Sequence, residues 1–162
     1  NRIPAEKLIV IHLGEQPNQY LYARARDPET GPGEPISLNG SEAAIPFAGT
    51  DFWLADLGLD FLHWPEQRLI KDTKITMWNG RPYQVLESLN PNPTGSNYAR
   101  VVSRIDRETG GLLKAEAYAA GQAKPFKVFS LKHFIKGEVK EMEIRNENAD
   151  SRTQLEFSFD DD

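Results

Sequence analysis

The chain has 162 residues, a formal net charge of −5, 39% hydrophobic residues and no cysteine. That length suits one domain with an adequate core, and the missing cysteine excludes disulfides, cysteine-ligated zinc and thiol chemistry. A mildly acidic chain that ends in Asp160-Asp161-Asp162 and has no basic block is a poor partner for nucleic acid and for anionic membrane surfaces.

No apolar run approaches the roughly 18 residues that a spanning helix needs. The sequence opens on Asn1 with no signal peptide, the expectation for a chain whose leader was removed by processing or by cloning. Leu8–Leu13 (LIVIHL) is β-branched and compact, so it reads as a strand. Gly14–Gln19 reads as a turn, and Tyr20–Arg26 alternates as the returning strand. Residues 27–49 hold Pro28, Pro32, Pro35 and Pro46 among glycines and read as a loop region within a single domain spanning 1–162.

Asp51–Trp64 is the one segment with helical periodicity. Trp53, Leu57, Phe61 and Trp64 fall on one face, while Asp56 and Asp60 fall on another and read as its solvated side. Thr50 or Asp51 suits the N-cap, and Pro65 stops the helix. Gly58 costs the helix roughly 1 kcal/mol relative to alanine unless a neighbouring element approaches closely there.

Beyond Pro65 the chain reads as a meander. Leu69–Trp78 and Tyr83–Leu89 flank Asn79-Gly80, the strongest two-residue hairpin signal present. After the loop Asn90–Asn97, Tyr98–Asp106 and Leu112–Tyr118 alternate around Glu108-Thr109-Gly110-Gly111, with Asp106 placed to bond the turn amides. Pro125–Phe134, Glu138–Arg145 and Arg152–Phe159 follow, separated by Lys136-Gly137 and by Asn146–Asp150. Seven or eight locally connected strands predict a mainly β (α+β) fold. The expected form is a curved antiparallel sheet or incomplete β-barrel whose apolar face is covered by the amphipathic helix.

Catalytic signals are weak. His12, His63 and His133 show no metal-ligand spacing and read as structural or surface residues. No nucleophile elbow, Walker A loop or dinucleotide-binding glycine pattern occurs, so the chain reads as a non-enzyme with no cofactor and no metal. Glu116, between Ala115 and Ala117, reads as a cross-strand ion-pair partner.

Several short segments, taken in order, resemble the bacterial outer-membrane lipoprotein-sorting family, the LolA-like proteins, in its broad uncharacterised branch. They are Phe47–Phe52 followed by Asp56-Leu57, then Trp64-Pro65, Tyr83–Glu87, Tyr98–Asp106, Leu112–Tyr118, Lys127-Val128-Phe129, and Glu141–Asn146 with Ser151–Leu155. Asp27–Pro35 departs from the family's usual run of strands. The resemblance implies a LolA/LolB-like half-barrel exported to the periplasm, a carrier that binds acyl chains of lipids or lipoproteins in an apolar cavity. It also implies an inner-membrane transporter or an outer-membrane receptor as partner. The ligand-binding residues expected on this reading are Trp53, Leu57, Phe61 and Trp64 on the helix, with Val85, Val101, Leu113 and Val128 as inward strand positions. The alternative is a non-catalytic interaction module of the cell envelope with a filled core, bound through a sheet edge or loop.

Overall fold

The computed structural model describes residues 6–14, 16–27, 31–40, 42–71, 76–78, 80–135 and 138–157, with backbone alone at 25–27, 31–32, 133–135 and 138. The chain divides into two compact units, Asn1–Trp64 and Pro65–Asp162.

In the first unit β1 (Glu6–Leu13) and β2 (Gln16–Asp27) pair antiparallel, with Leu13 opposite Gln16. The connection is thus only two residues, and Gly14 supplies the positive φ of 68° that so short a link demands. Gln16–Gln19, expected in the turn, therefore belong to β2. The region expected as loop also contributes two short strands, β3 (Gly31–Pro32) and β4 (Ile36–Leu38), both laid along β2. Extended backbone there satisfies the groups that the second edge of β2 would otherwise leave unpaired. The inner face of this small sheet carries Leu8, Val10, Tyr20, Tyr22 and Leu38, which pack with Ala43, Phe47, Leu54 and Ala55.

The expected helix over Asp51–Trp64 is instead one α-turn, α1 (Leu54–Leu57), and one 3-10 turn (Asp60–His63), separated by Leu59 in the left-handed region at φ 47°. The break has a cause outside the segment. The carbonyl of Gly58 accepts the Asn18 side-chain amide at 3.0 Å, so the Leu62 amide bonds Leu59 instead. The N-cap is Trp53 rather than Thr50 or Asp51. Asp56 reaches back to the Trp53 amide at 2.8 Å, the acidic half of a capping box.

The second unit is one open antiparallel sheet. Its strands are β5 (Glu66–Ile70), β6 (Thr76–Trp78), β7 (Arg81–Leu89), β8 (Arg100–Asp106), β9 (Leu112–Tyr118), β10 (Lys127–Ile135), β11 (Glu138–Asn146) and β12 (Ser151–Glu156). The order is β12-β11-β10-β9-β8-β7-β5, and β6 lies beside β5 on the same edge of β7. The mainly β, antiparallel fold is as expected; the sheet is open and uncurled, and among the described residues β5 and β12 end it. The single strand expected over Leu69–Trp78 is split between β5 and β6, and residues 72–75 between them lie outside the described residues.

Two turns follow the predicted chemistry. Trp78 pairs with Arg81 across a two-residue link in which Gly80 has φ 75°, while Asn79 and the Lys136-Gly137 turn lie outside the described residues. At the next hairpin the Asp106 carboxylate accepts the Glu108 and Thr109 amides at 2.8 and 3.4 Å and pairs with Arg81. Gly110 takes φ 72° there. Burial pushes the Asp106 carboxyl up, but the two turn amides and the Arg81 guanidinium outweigh it and hold the group below the usual range.

Gly58 fixes the sign of one measurement. A Cβ at this position would meet the Tyr20 hydroxyl at 2.5 Å, although the backbone φ of −91° is ordinary. Helix propensity alone predicts that Gly58→Ala stabilises the protein. The close approach of Tyr20 predicts instead a loss of about 1–3 kcal/mol by overpacking, measurable as a lower urea midpoint.

Candidate functional site

Neighbouring residues across an antiparallel pair point to the same face, so register sorts every side chain of the large sheet. One face carries a cross-strand row of Leu69, Leu86, Ser103, Ala115, Phe129 and Ile144. On one side of that row lies a second, more polar one of Gln67, Ser88, Val101, Ala117, Lys127 and Asn146. On the other side Leu131, Met142 and Leu155 stand in register, wholly apolar. Across β10, β11 and β12 the face thus grades from polar to apolar along the strand direction, while on β7 and β8 the corresponding pair is Gln84 and Ile105. Its centre is buried, and Val101, Ser103, Ala115, Phe129 and Ile144 have no exposed surface. Its β5–β6 edge is open to solvent, with Leu69 53% and Met77 56% exposed.

Among the described residues, one buried side-chain polar group on this face, Ser103, is without a partner. The Ser88 hydroxyl donates to Gln67 Oε1 at 2.6 Å. Lys127 is buried with its ammonium 5.4 Å from the centre of the Tyr98 ring, a geometry that stabilises a cation against an apolar surface.

The opposite face is charged. Glu87 lies between Arg68 at 3.8 Å and Arg100 at 3.5 Å, and Lys132 pairs with Glu143 at 3.1 Å. Glu116 meets Lys114 at 3.7 Å and the Tyr118 hydroxyl at 3.1 Å, both on its own strand rather than across a pair. The Arg100 guanidinium stacks 4.0 Å over the Tyr118 ring.

The eight expected site residues divide between the two units. In the sheet, Val101 and Leu113 lie on the apolar face and are buried. Val85 and Val128 lie on the charged face, opposite Arg104 and opposite Glu116 and Arg145 respectively. The four strand positions therefore do not share a face. Leu86 and Phe129, one residue along from Val85 and Val128, are the side chains that stand with Val101. In the first unit, Phe61 is buried and meets Trp64 edge to face, with ring centres 6.5 Å apart. Trp53 caps α1 and Leu57 ends it, so these two stand on a different turn from Phe61 and Trp64.

Asp56 and Asp60 are not a solvated face. Both are buried, Asp56 as the cap partner of Trp53 and Asp60 within a polar network. The Tyr20 hydroxyl donates to Asp60 Oδ1 at 3.0 Å, Trp64 Nε1 donates to Oδ2 at 3.3 Å, and Asn18 Nδ2 donates to the Tyr20 hydroxyl at 3.4 Å. Because the Asn18 amide is committed as a donor, its Oδ1 at 2.9 Å accepts the Nδ1 proton of His12. His12 in turn stacks on His63 with ring centres 5.3 Å apart. The sequence held a signal for this network in the i, i+4 spacing of Asp60 and Trp64. The role of Asn18 had none, because its partner Gly58 is distant along the chain. Burial pushes both the Asp60 carboxyl and the Tyr20 phenol up.

Among the described residues no group of three His, Cys, Asp or Glu is placed to hold a metal ion, and no helix is long and apolar enough to cross a membrane.

A family model described as an uncharacterised protein matches residues 7–159. No curated protein matches the sequence. Among solved structures, a DUF1329 family protein from Desulfovibrio piger has a TM-score of 0.70 at 19% identity, over 97% of this chain and 65% of that one. A structure described as an outer membrane lipoprotein-sorting protein domain, from Vibrio parahaemolyticus, has a TM-score of 0.66 at 17% identity, covering 93% of this chain and 74% of that one. A LolA superfamily protein from Nitrosomonas europaea has a TM-score of 0.58 at 15% identity, over 92% and 73%. At these identities the likeness is one of fold.

The Asp60 network predicts a pH-dependent mutant. Tyr20→Phe leaves the buried carboxylate short of one donor, at a cost of about 1.5–3 kcal/mol at neutral pH. Asp60 already has a raised folded-state pKa, so its contribution to stability is fully present below the unfolded value and is lost as pH rises through the folded one. Removing the hydroxyl raises that folded value further. Urea titrations over a pH series should therefore show the Tyr20→Phe deficit shrinking as the pH is lowered and Asp60 takes up its proton.

Proposed function

Because this chain belongs to the family matched over residues 7–159 and has a LolA-like fold, we propose that it is a non-catalytic carrier of acyl chains of lipids or lipoproteins in the periplasm. The observation that carries the reading is the division of the large sheet into one charged and one apolar face, with the apolar face reaching solvent at the β5–β6 edge through Leu69 and Met77. An apolar face that runs from solvent into a buried centre can take a chain by burial of methylenes alone, each contributing about 0.8 kcal/mol. No catalytic group is required.

On the sheet the proposed contacts are Val101 and Leu113 with Ala115, Phe129 and Ile144, and not Val85 or Val128, whose face is charged. Trp53, Leu57, Phe61 and Trp64 are the proposed contacts of the first unit. The partner class is an inner-membrane transporter or an outer-membrane receptor.

A second reading, a protein-interaction module that binds by strand addition, has its own support. All five residues of β5 are exposed, including Leu69 and Ile70, and β5 ends the sheet. The buried centre of the apolar face is also what a filled core would give.

Ligand extraction separates the two readings. Protein purified from the periplasm should carry lipid by native mass spectrometry, and titration with single-chain amphiphiles should change tryptophan fluorescence. Affinity should rise about fourfold per added methylene until the face is filled. Absence of bound lipid together with unchanged fluorescence would leave the interaction module.

A further inference from the structure

We propose that Ser103 forms a hydrogen-bonding subsite on the apolar face, for the carbonyl oxygen of an acyl ester or amide whose hydrocarbon chain lies over the small side chains beside it. The inference rests on the carrier reading and adds to it the group that would recognise the acyl linkage itself and distinguish it from plain hydrocarbon.

Ser103 has no exposed surface and its hydroxyl has no hydrogen-bond partner among the described residues. Leaving a buried hydroxyl unbonded destabilises a closed protein, and alanine at the same position would carry no such cost. The other serine on this face does not share the problem, because Ser88 is bonded to Gln67. The cross-strand neighbours of Ser103 are Leu86 and Ala115, and Ala117 and Ser88 stand diagonally next to it. Small side chains on the two flanking strands, Ser88 on β7 and Ala115 and Ala117 on β9, therefore stand beside one unsatisfied donor, with Leu86, Val101, Leu113 and Phe129 as larger apolar walls and Gln84 on the other diagonal.

A carbonyl oxygen is an acceptor with no donor of its own, so it matches a lone hydroxyl in apolar surroundings. An acyl ester or amide carries such an oxygen at one end of an otherwise apolar chain. The polar-to-apolar gradient across β10, β11 and β12 agrees with this polarity. Gln67, Ser88, Lys127 and Asn146 lie on one side of the Ser103 row and can face a headgroup, while Leu131, Met142 and Leu155 lie on the other and can face the tail. The centre of the face is shut to water here, so binding selects an opened state. That requirement lowers the affinity of every ligand by the same factor and leaves the ratio between two ligands untouched.

The ratio is therefore the readout. Methyl laurate and n-tetradecane, matched in chain length and delivered from cyclodextrin, would each compete with a bound naphthylamine dye on wild-type protein, Ser103→Ala and Ser103→Thr. Ser103→Ala should lower the affinity for methyl laurate about fivefold, the value of one hydrogen bond, and leave tetradecane unchanged. Its melting temperature without ligand should stay the same or rise. Ser103→Thr keeps the hydroxyl and should keep the ester preference. Equal weakening of both probes, or no change in either, would overturn the subsite while leaving the carrier reading intact. Failure of the wild-type protein to bind either probe would remove the carrier reading and the subsite with it.

Discussion

Alternation along the strands of the large sheet is the constraint from which the rest follows. At the centre of β8, β9, β10 and β11 every second residue is apolar or small, and these residues meet in register as Val101, Ala117, Ala115, Phe129 and Ile144. A one-residue slip of any of these strands would exchange them for Arg104, Lys114, Glu116, Lys132 or Glu143 and bury charge. Burial of one face therefore fixes the register, and the turns only have to be compatible with it. They are: Gly80 and Gly110 supply positive φ where the links are short, and Asp106 ties its turn through two amides and Arg81.

The first unit is organised by polar contacts where a helix would be expected to rely on its apolar stripe. Asn18 takes the Gly58 carbonyl and Tyr20 holds Asp60, so β2 dictates where α1 ends and where the 3-10 turn begins. A buried carboxylate with two donors and a capping carboxylate on the preceding turn make this arrangement specific. Each group that leaves it strands another without a partner, and the low dielectric makes that costly.

The sheet was legible in the sequence because its signals are local. Period-two alternation, Asn79-Gly80 and the glycines after Asp106 each act within a few residues, and the LolA-like resemblance ordered them. What stayed hidden depends on partners far along the chain. The break at Gly58 comes from Asn18 and Tyr20, and the burial of Asp56 and Asp60 follows from the same contacts. The β3 and β4 segments pair only because β2 has an edge to satisfy. The proposed site residues show the limit most sharply. Val101 and Leu113 were separated from Val85 and Val128 by the parity of the strands, which alternation reveals within one strand but not between strands. Charge was the available clue, since Val85 shares its strand parity with Glu87, and Val128 shares its own with Ser130 and Lys132, rather than with apolar residues.

The two faces give the acyl-carrier reading a physical test that does not depend on knowing the cargo. The chemistry of one face, small and apolar at its centre with one unbonded hydroxyl, suits a lipid chain. The chemistry of the other, with Glu87 between two arginines and Lys132 on Glu143, does not. The most direct measurement is intermolecular NOE spectroscopy on deuterated protein with protonated alanine and valine methyls, mixed with a protonated lauroyl amphiphile. The carrier account predicts NOEs from the chain methylenes to Val101, Ala115 and Ala117 and none to Val85, Val102 or Val128. NOEs to the second set, or to neither, would contradict it.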